Sequence, residues 1–265
     1  MTKPSLLLLA LPVLLIGFST TAAFADFANG DFESGTLASW TPDGGLWGDG
    51  GNTSGDPSRV AINTSGLDPR TNNILNMVFQ GKYAAQVNDY SNAFHWSSMT
   101  QTLSLWPSNT VNFAWAAVLN EPQPPDAVHL RTQTPHFSIL LTDDTKSLTL
   151  YDVAFDVYNP PPLSGGWHLG ATAVPGALDN PAYNVAGVWR YCDWQVQSID
   201  TSAYVGDTLT LTVKAFDCSL GGHGGYAYVD GFGEKPPVPN PVPEPSTLLL
   251  LTLAIPAISL KLRKR

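Results

Sequence analysis

The side chains that could carry out chemistry are scattered along this chain. The histidines, His95, His129, His136, His168 and His223, form no H-E-x-x-H pair and no spacing that suits zinc. His129 and His136 flank a loop with no obvious third ligand. His223 lies in the glycine-rich run Gly221–Gly225, where its ring would bond the backbone. No G-x-S-x-G elbow presents a serine nucleophile. Glycoside hydrolysis needs two carboxylates across a cleft. Glutamate is rare here, and although loop aspartates could serve a hydrolase or lyase, nothing singles out a pair.

The residues present are better suited to contact than to catalysis. Of 8 tryptophans, Trp47, Trp96 and Trp167 lie in or beside expected loops. Flat rings in loops can stack on sugar rings without needing a charge. The alternative is that they close the ends of a β-sandwich. Trp115 falls on an apolar alternating run and belongs to the core. The 2 cysteines, Cys192 and Cys218, are too few for zinc and too far apart for a C-x-x-C redox pair. In an oxidising compartment one disulfide is the simplest expectation, with two buried thiols as the alternative.

The ends of the chain supply the compartment. Residues 1–25 read as a secretory signal peptide: Lys3, an apolar run from Leu6 to Phe18, then Ala23-Phe24-Ala25 before a start at Asp26. Residues 26–233 are then one domain, 234–242 a proline-rich spacer and 243–265 a tail. Between 26 and 242 there are 21 acidic and 8 basic side chains, a net charge of −13. Such a surface argues against nucleic acid and anionic membranes, and acidic side chains also suit calcium. The tail has a stiff Pro243-Glu244-Pro245, an apolar run from Ser246 to Leu260 interrupted by Pro256, and basic Lys261, Arg263, Lys264 and Arg265. As a helix that run reaches roughly 22 Å, short for a bilayer, with its basic end cytoplasmic under the positive-inside rule.

The elements that must position these residues read as strands. Leu209, Leu211, Val213 and Ala215 alternate with Thr208, Thr210, Thr212 and Lys214. The same period of two links Val111, Phe113, Trp115 and Ala117, then Phe137, Ile139 and Leu141, then Met99, Gln101, Leu103 and Leu105, and finally Tyr83, Ala85 and Val87. No helical period appears between the two ends. The expectation is an all-β, two-sheet sandwich with long loops at 43–58, 120–135 and 159–181.

Three stretches resemble known families. The tail resembles the PEP-CTERM sorting signal of exopolysaccharide-producing Gram-negative bacteria. That resemblance implies processing by an exosortase, a tail first held in the inner membrane, and a destination at the cell surface or extracellular matrix. Asn29-Gly30-Asp31-Phe32-Glu33, Trp40, Lys82–Val87 and Thr100–Leu103 are similar to the opening of galactose-binding-like jelly rolls, a group that includes many carbohydrate-binding modules. The stretch from Trp194 to Asp230, ending G-G-H-G-G-Y-A-Y-V-D, looks like the closing half of secreted bacterial β-sandwiches. The jelly-roll resemblance implies a structural calcium held by Glu33, the carbonyl of Asp31 and Asp230; turn-capping roles for the two acids stay equally open. The expected function is non-catalytic: an exported protein that binds exopolysaccharide or another glycan, or forms envelope structure.

Overall fold

The computed structural model describes residues 26–91, 94–122, 130–157, 165–172 and 187–240. The expected signal peptide, Pro243-Glu244-Pro245 and the rest of the tail lie outside the described residues. Among those described, no helix is long and apolar enough to cross a membrane.

The chain folds as an antiparallel jelly-roll β-sandwich. Its strands are β1 (Thr41–Leu46), β2 (Val60–Thr64), β3 (Tyr83–Val87), β4 (His95–Leu103), β5 (Thr110–Pro122), β6 (His136–Asp143), β7 (Leu148–Phe155), β8 (Trp167–Thr172), β9 (Gly187–Cys192), β10 (Gln195–Asp200), β11 (Leu209–Phe216) and β12 (Gly225–Gly233). The first sheet runs β1-β4-β11-β6-β7, the second β2-β3-β12-β5-β9-β8. β10 also pairs with β5, so β9 and β10 flank one side of β5 in succession.

Alternation places the core. Leu209, Leu211, Val213 and Ala215 of β11 face inward with Phe137, Ile139 and Leu141 of β6, and meet Phe113, Trp115 and Ala117 of β5 from the opposite sheet. Ala85 and Val87 join them, with Tyr83 partly buried at the margin. β5 departs from the expected one-sided pattern: Val111 to Asn120 are buried on both faces. β12 is buried throughout as well. Leu105 lies beyond β4, 72% exposed, with a left-handed φ of 56°. The expected loops are partly strand, with β1 running into the first as far as Leu46 and β8 lying inside the third. The proline-rich spacer is docked as far as it is described: the Glu234 carbonyl accepts from Asn112 and Thr110, and Asn240 bonds Phe79 and Gly81.

One buried carboxylate stitches the sheets together at one end. Asp217, just past β11, accepts from Asn88 Nδ2 at 2.9 Å, the Gly225 amide at 3.2 Å and the His95 amide at 3.0 Å. Arg59 stands 3.8 Å away. The partners come from the ends of β3 and β12 in one sheet and β4 in the other. Burial pushes this carboxyl well above the ordinary range, opposed by the His95 amide, Arg59 and the Gly225 amide. Asp217→Ala would leave three buried donors without their acceptor. We expect a loss of about 3 kcal/mol, read as a lower denaturant midpoint at unchanged slope; an unchanged midpoint would remove the stitch from the account.

Candidate functional site

The outer face of the second sheet is apolar where a solvated sheet would be polar. Tyr226 and Tyr228 of β12 point outward, opposite the inward Ala227 and Val229, and meet Ala116 and Val118 of β5 and Trp189 and Tyr191 of β9. This face must be covered, and residues 65–80 cross it as a strap. Leu75 packs onto it, and Trp194, in the turn between β9 and β10, donates to the Asn76 carbonyl at 2.8 Å. At β8 the strap comes so close that a Cβ on Gly170 would lie 2.3 Å from the Arg70 carbonyl, so only glycine fits there.

The strap turns on Asp68, which is 1% exposed. Its Oδ1 accepts from the Arg70 amide at 2.7 Å. Its Oδ2 accepts the Tyr226 hydroxyl at 2.6 Å and the Tyr228 hydroxyl at 2.9 Å. Burial, and then the Asp68 charge, push both phenols upward, so they remain protonated donors. Beside this clamp lies a cleft of about 290 Å³, lined by Asp68, Arg70, Met77, Gln86, Tyr90 and the two tyrosines. Tyr90 is 49% exposed, and the Arg70 guanidinium carbon lies 4.7 Å from its ring centroid and 5.9 Å from that of Trp189. A larger cavity of about 440 Å³ borders Asp26, Gln80 and residues 231–238. Its wall is the docked spacer leading into undescribed chain, which makes the smaller cleft, with its aromatic and polar side chains, the better candidate.

The three predicted tryptophans are not brought together there. Trp47 packs edge-on against Phe216 and His136, with centroids 5.0 and 5.6 Å away. Trp96 is on β4 rather than in a loop. Its indole nitrogen donates to the Thr53 carbonyl at 3.2 Å, and Lys214 Nζ covers one ring face at 3.7 Å from the centroid. Trp47 and Trp96 both lie beside Phe216 on the first sheet, whereas Trp167 starts β8 and packs against the core. All three rings are packed on one side and stay partly exposed. The sequence reading missed Tyr226 and Tyr228 although it quoted G-Y-A-Y-V-D; the outward half of that alternation was the available signal. Asp68, Arg70 and Tyr90 lie in segments without periodicity and carried none.

Among the predicted calcium ligands, Glu33 Oε1 accepts from the Lys82 and Tyr83 amides at 2.7 and 3.1 Å. Asp230 Oδ2 accepts from Phe79 and Gln80 amides at 3.1 and 2.9 Å, while its Oδ1 is buried with no hydrogen-bond partner. The Asp31 carboxylate turns back to the Glu33 amide at 3.2 Å. Both acids therefore make the backbone bonds of the capping alternative, yet they stand near enough for the Glu33 charge to act on Asp230. Among the described residues no three His, Cys, Asp or Glu side chains cluster as a metal site. What a calcium ion would find here is two carboxylates, the orphaned Asp230 Oδ1 foremost.

The expected disulfide is not formed. Cys192 Sγ accepts the Ala117 amide at 3.3 Å inside the core, and burial pushes its thiol up to about 12. Cys218 Sγ accepts the Leu220 amide at 3.4 Å in the turn after β11. Each sulfur is satisfied in its own place. His95 lies between Ser97 and Asp56, at 3.3 Å from each, in the order of a nucleophilic triad. Ser97 has no exposed surface, so no substrate reaches it and the row ties the strand to the 43–58 loop. His223 is buried, and its carbonyl accepts the Cys218 amide.

No protein-family model matches the sequence, and no curated protein matches it. Solved structures do. TmCBM61 in complex with β-1,4-galactotriose shares 13% identity over 79% of this chain and 97% of that one, with a TM-score of 0.37. The K2 cleaved adhesin domain of Lys-gingipain shares 15% over 79% and 97%, at 0.38. The CBM22-1 xylan-binding domain from Paenibacillus barcinonensis shares 14% over 80% and 94%, at 0.33.

Asp230 gives a pH prediction. Burial, with a smaller contribution from Glu33, raises its carboxyl from 3.8 to about 7. The native state then holds a proton that the unfolded chain releases, so the stabilisation is full below about pH 4 and is lost as pH rises through about 7. In chelator the melting temperature should fall across that window, and Asp230→Asn should flatten this part of the profile. Equal slopes in both proteins would show that Asp230 is not the titrating group.

Proposed function

We propose that this domain is a non-catalytic glycan-binding module acting outside the cytoplasm. The observation that carries the reading is the cleft under the strap, where the half-exposed Tyr90 ring adjoins the polar edges of Arg70 and Gln86. A sugar ring offers an apolar face to an aromatic side chain and hydroxyls to planar donors and acceptors, and this cleft supplies both. The sequence resemblance to galactose-binding-like jelly rolls supports the same reading. Export and sorting to the cell surface by an exosortase are part of the proposal, supported by the order of Pro243-Glu244-Pro245, apolar run and basic end. In a glycan-array screen of the full chain, hits should weaken about tenfold in Tyr90→Ala, with an unchanged melting temperature. Hits that survive both Tyr90→Ala and Gln86→Ala would move binding elsewhere.

We also propose that calcium ties the first residues of the domain to its last strand, through Glu33 and Asp230. The ion would bind the ionised carboxylates and satisfy Asp230 Oδ1. Calcium should therefore cancel the loss of stability between about pH 4 and 7, while magnesium, with its tighter octahedral demand, should not. A melting profile identical with calcium and with chelator would return both acids to backbone capping alone.

A further inference from the structure

We infer that the cleft selects a glycan that carries a carboxylate, such as a uronate chain, through the guanidinium of Arg70. This inference rests on the glycan-binding reading and narrows it. The domain is strongly acidic, with 8 bases against 21 acids between residues 26 and 242. Two other bases of the domain are spent on carboxylates. Arg59 lies 3.2 Å from Asp89 and 3.8 Å from Asp217, and Lys146 pairs with Asp207 and Asp143. Arg70 makes no ion pair and no side-chain hydrogen bond among the described residues, although it lines the cleft.

The reason lies in how Arg70 is held. Its backbone amide is fixed by Asp68 Oδ1, and Asp68 Oδ2 is taken by two tyrosine hydroxyls, so this carboxylate is already occupied. Its side chain lies against the Tyr90 and Trp189 rings. A stacked guanidinium keeps its in-plane N–H edge for a partner, and the planar partner that matches this edge with two parallel bonds is a carboxylate. Ring packing on both Tyr90 and Trp189 pre-pays part of the side-chain entropy that binding would cost. A neutral sugar can use the Tyr90 face and hydrogen-bond this edge, but it gains no charge-assisted pair there.

The test uses the full chain and a matched pair of probes, an oligoglucuronate and the cello-oligosaccharide of equal length, which differ only in oxidation at C6. The uronate should bind about tenfold more tightly at low salt, and raising the salt should erase the difference. Arg70→Gln should bring the acid-to-neutral ratio down to about one, whatever it does to the neutral probe itself. Arg70→Lys should recover part of the preference, and it keeps the test intact should Arg70→Gln lower the melting temperature. An acid-to-neutral ratio of one in the wild-type chain, or one that Arg70→Gln does not alter, overturns the inference and leaves glycan binding standing. Polyaspartate binding as tightly as the uronate would make the site a general anion patch and also overturn it. Absence of binding to either probe and to every glycan of the array would overturn the glycan reading and the inference together.

Discussion

The central strands of the second sheet are apolar on both faces, and much else follows from that constraint. Trp115 and Ala117 of β5, with Ala227 and Val229 of β12, need the opposite sheet; Ala116, Val118, Tyr226 and Tyr228 need a second cover. Water cannot serve, because exposing this area would forgo roughly 25 cal/mol for every Å². The strap at 65–80 is that cover, but a strap is backbone, and backbone brought onto an apolar face must have its polar groups satisfied. Asp68 and Thr71 do so locally: the Asp68 carbonyl accepts the Thr71 amide and hydroxyl, and the Thr71 hydroxyl accepts the Leu75 amide. The buried Asp68 carboxylate then needs donors of its own, and the two tyrosine hydroxyls of the covered strand supply them. Aromatic face, strap and carboxylate are therefore mutually required, and the cleft with Arg70 at its rim is their by-product.

This dependence explains what could be read from the sequence and what could not. β11, β6 and β4 were legible because one side of each is largely polar and partly wet, so their residues alternate in the expected way. β5 looked the same, yet its outward residues, Ala114, Ala116 and Val118, are also buried; small apolar residues do not announce which cover they will receive. β8 and β9 are interrupted by glycine and edge irregularities and gave no alternation to count. The clamp joins Asp68 to residues 158 and 160 positions away, a pairing that only the closed sandwich makes visible.

The predicted tryptophans have packing partners for a related reason. A large ring in a glycine-rich stretch was expected to stay bare. Glycines, however, also let other chain segments come close: a Cβ on Gly48 would lie 2.3 Å from the Ser219 carbonyl, in the stretch that brings Trp47 onto Phe216. Close backbone approach gives a ring packing partners as readily as it leaves it open. The two cysteines were misread on a comparable basis, since compartment and number say nothing of whether each sulfur already has a partner where it lies.

The two outer faces of the sandwich consequently differ in kind. On the first sheet, cross-strand pairs Thr100–Thr212 and Thr102–Thr210 join hydroxyl to hydroxyl at 2.9 and 2.7 Å. Lys214 there lies on Trp96 and Phe216 with Asp43 near it, and burial draws its ammonium below the ordinary range. Its cation and its aromatic rings satisfy one another, so a ligand would have to displace an existing contact to use either. On the second sheet the corresponding pair is Arg70 with Tyr90 and Trp189. A guanidinium lying on rings differs from an ammonium in one decisive respect: its donors project from the edge of the plane, so stacking does not consume them. The same contact that closes the first face leaves the second with directed, unspent hydrogen-bonding capacity, and recognition is therefore expected on the strap side of the domain.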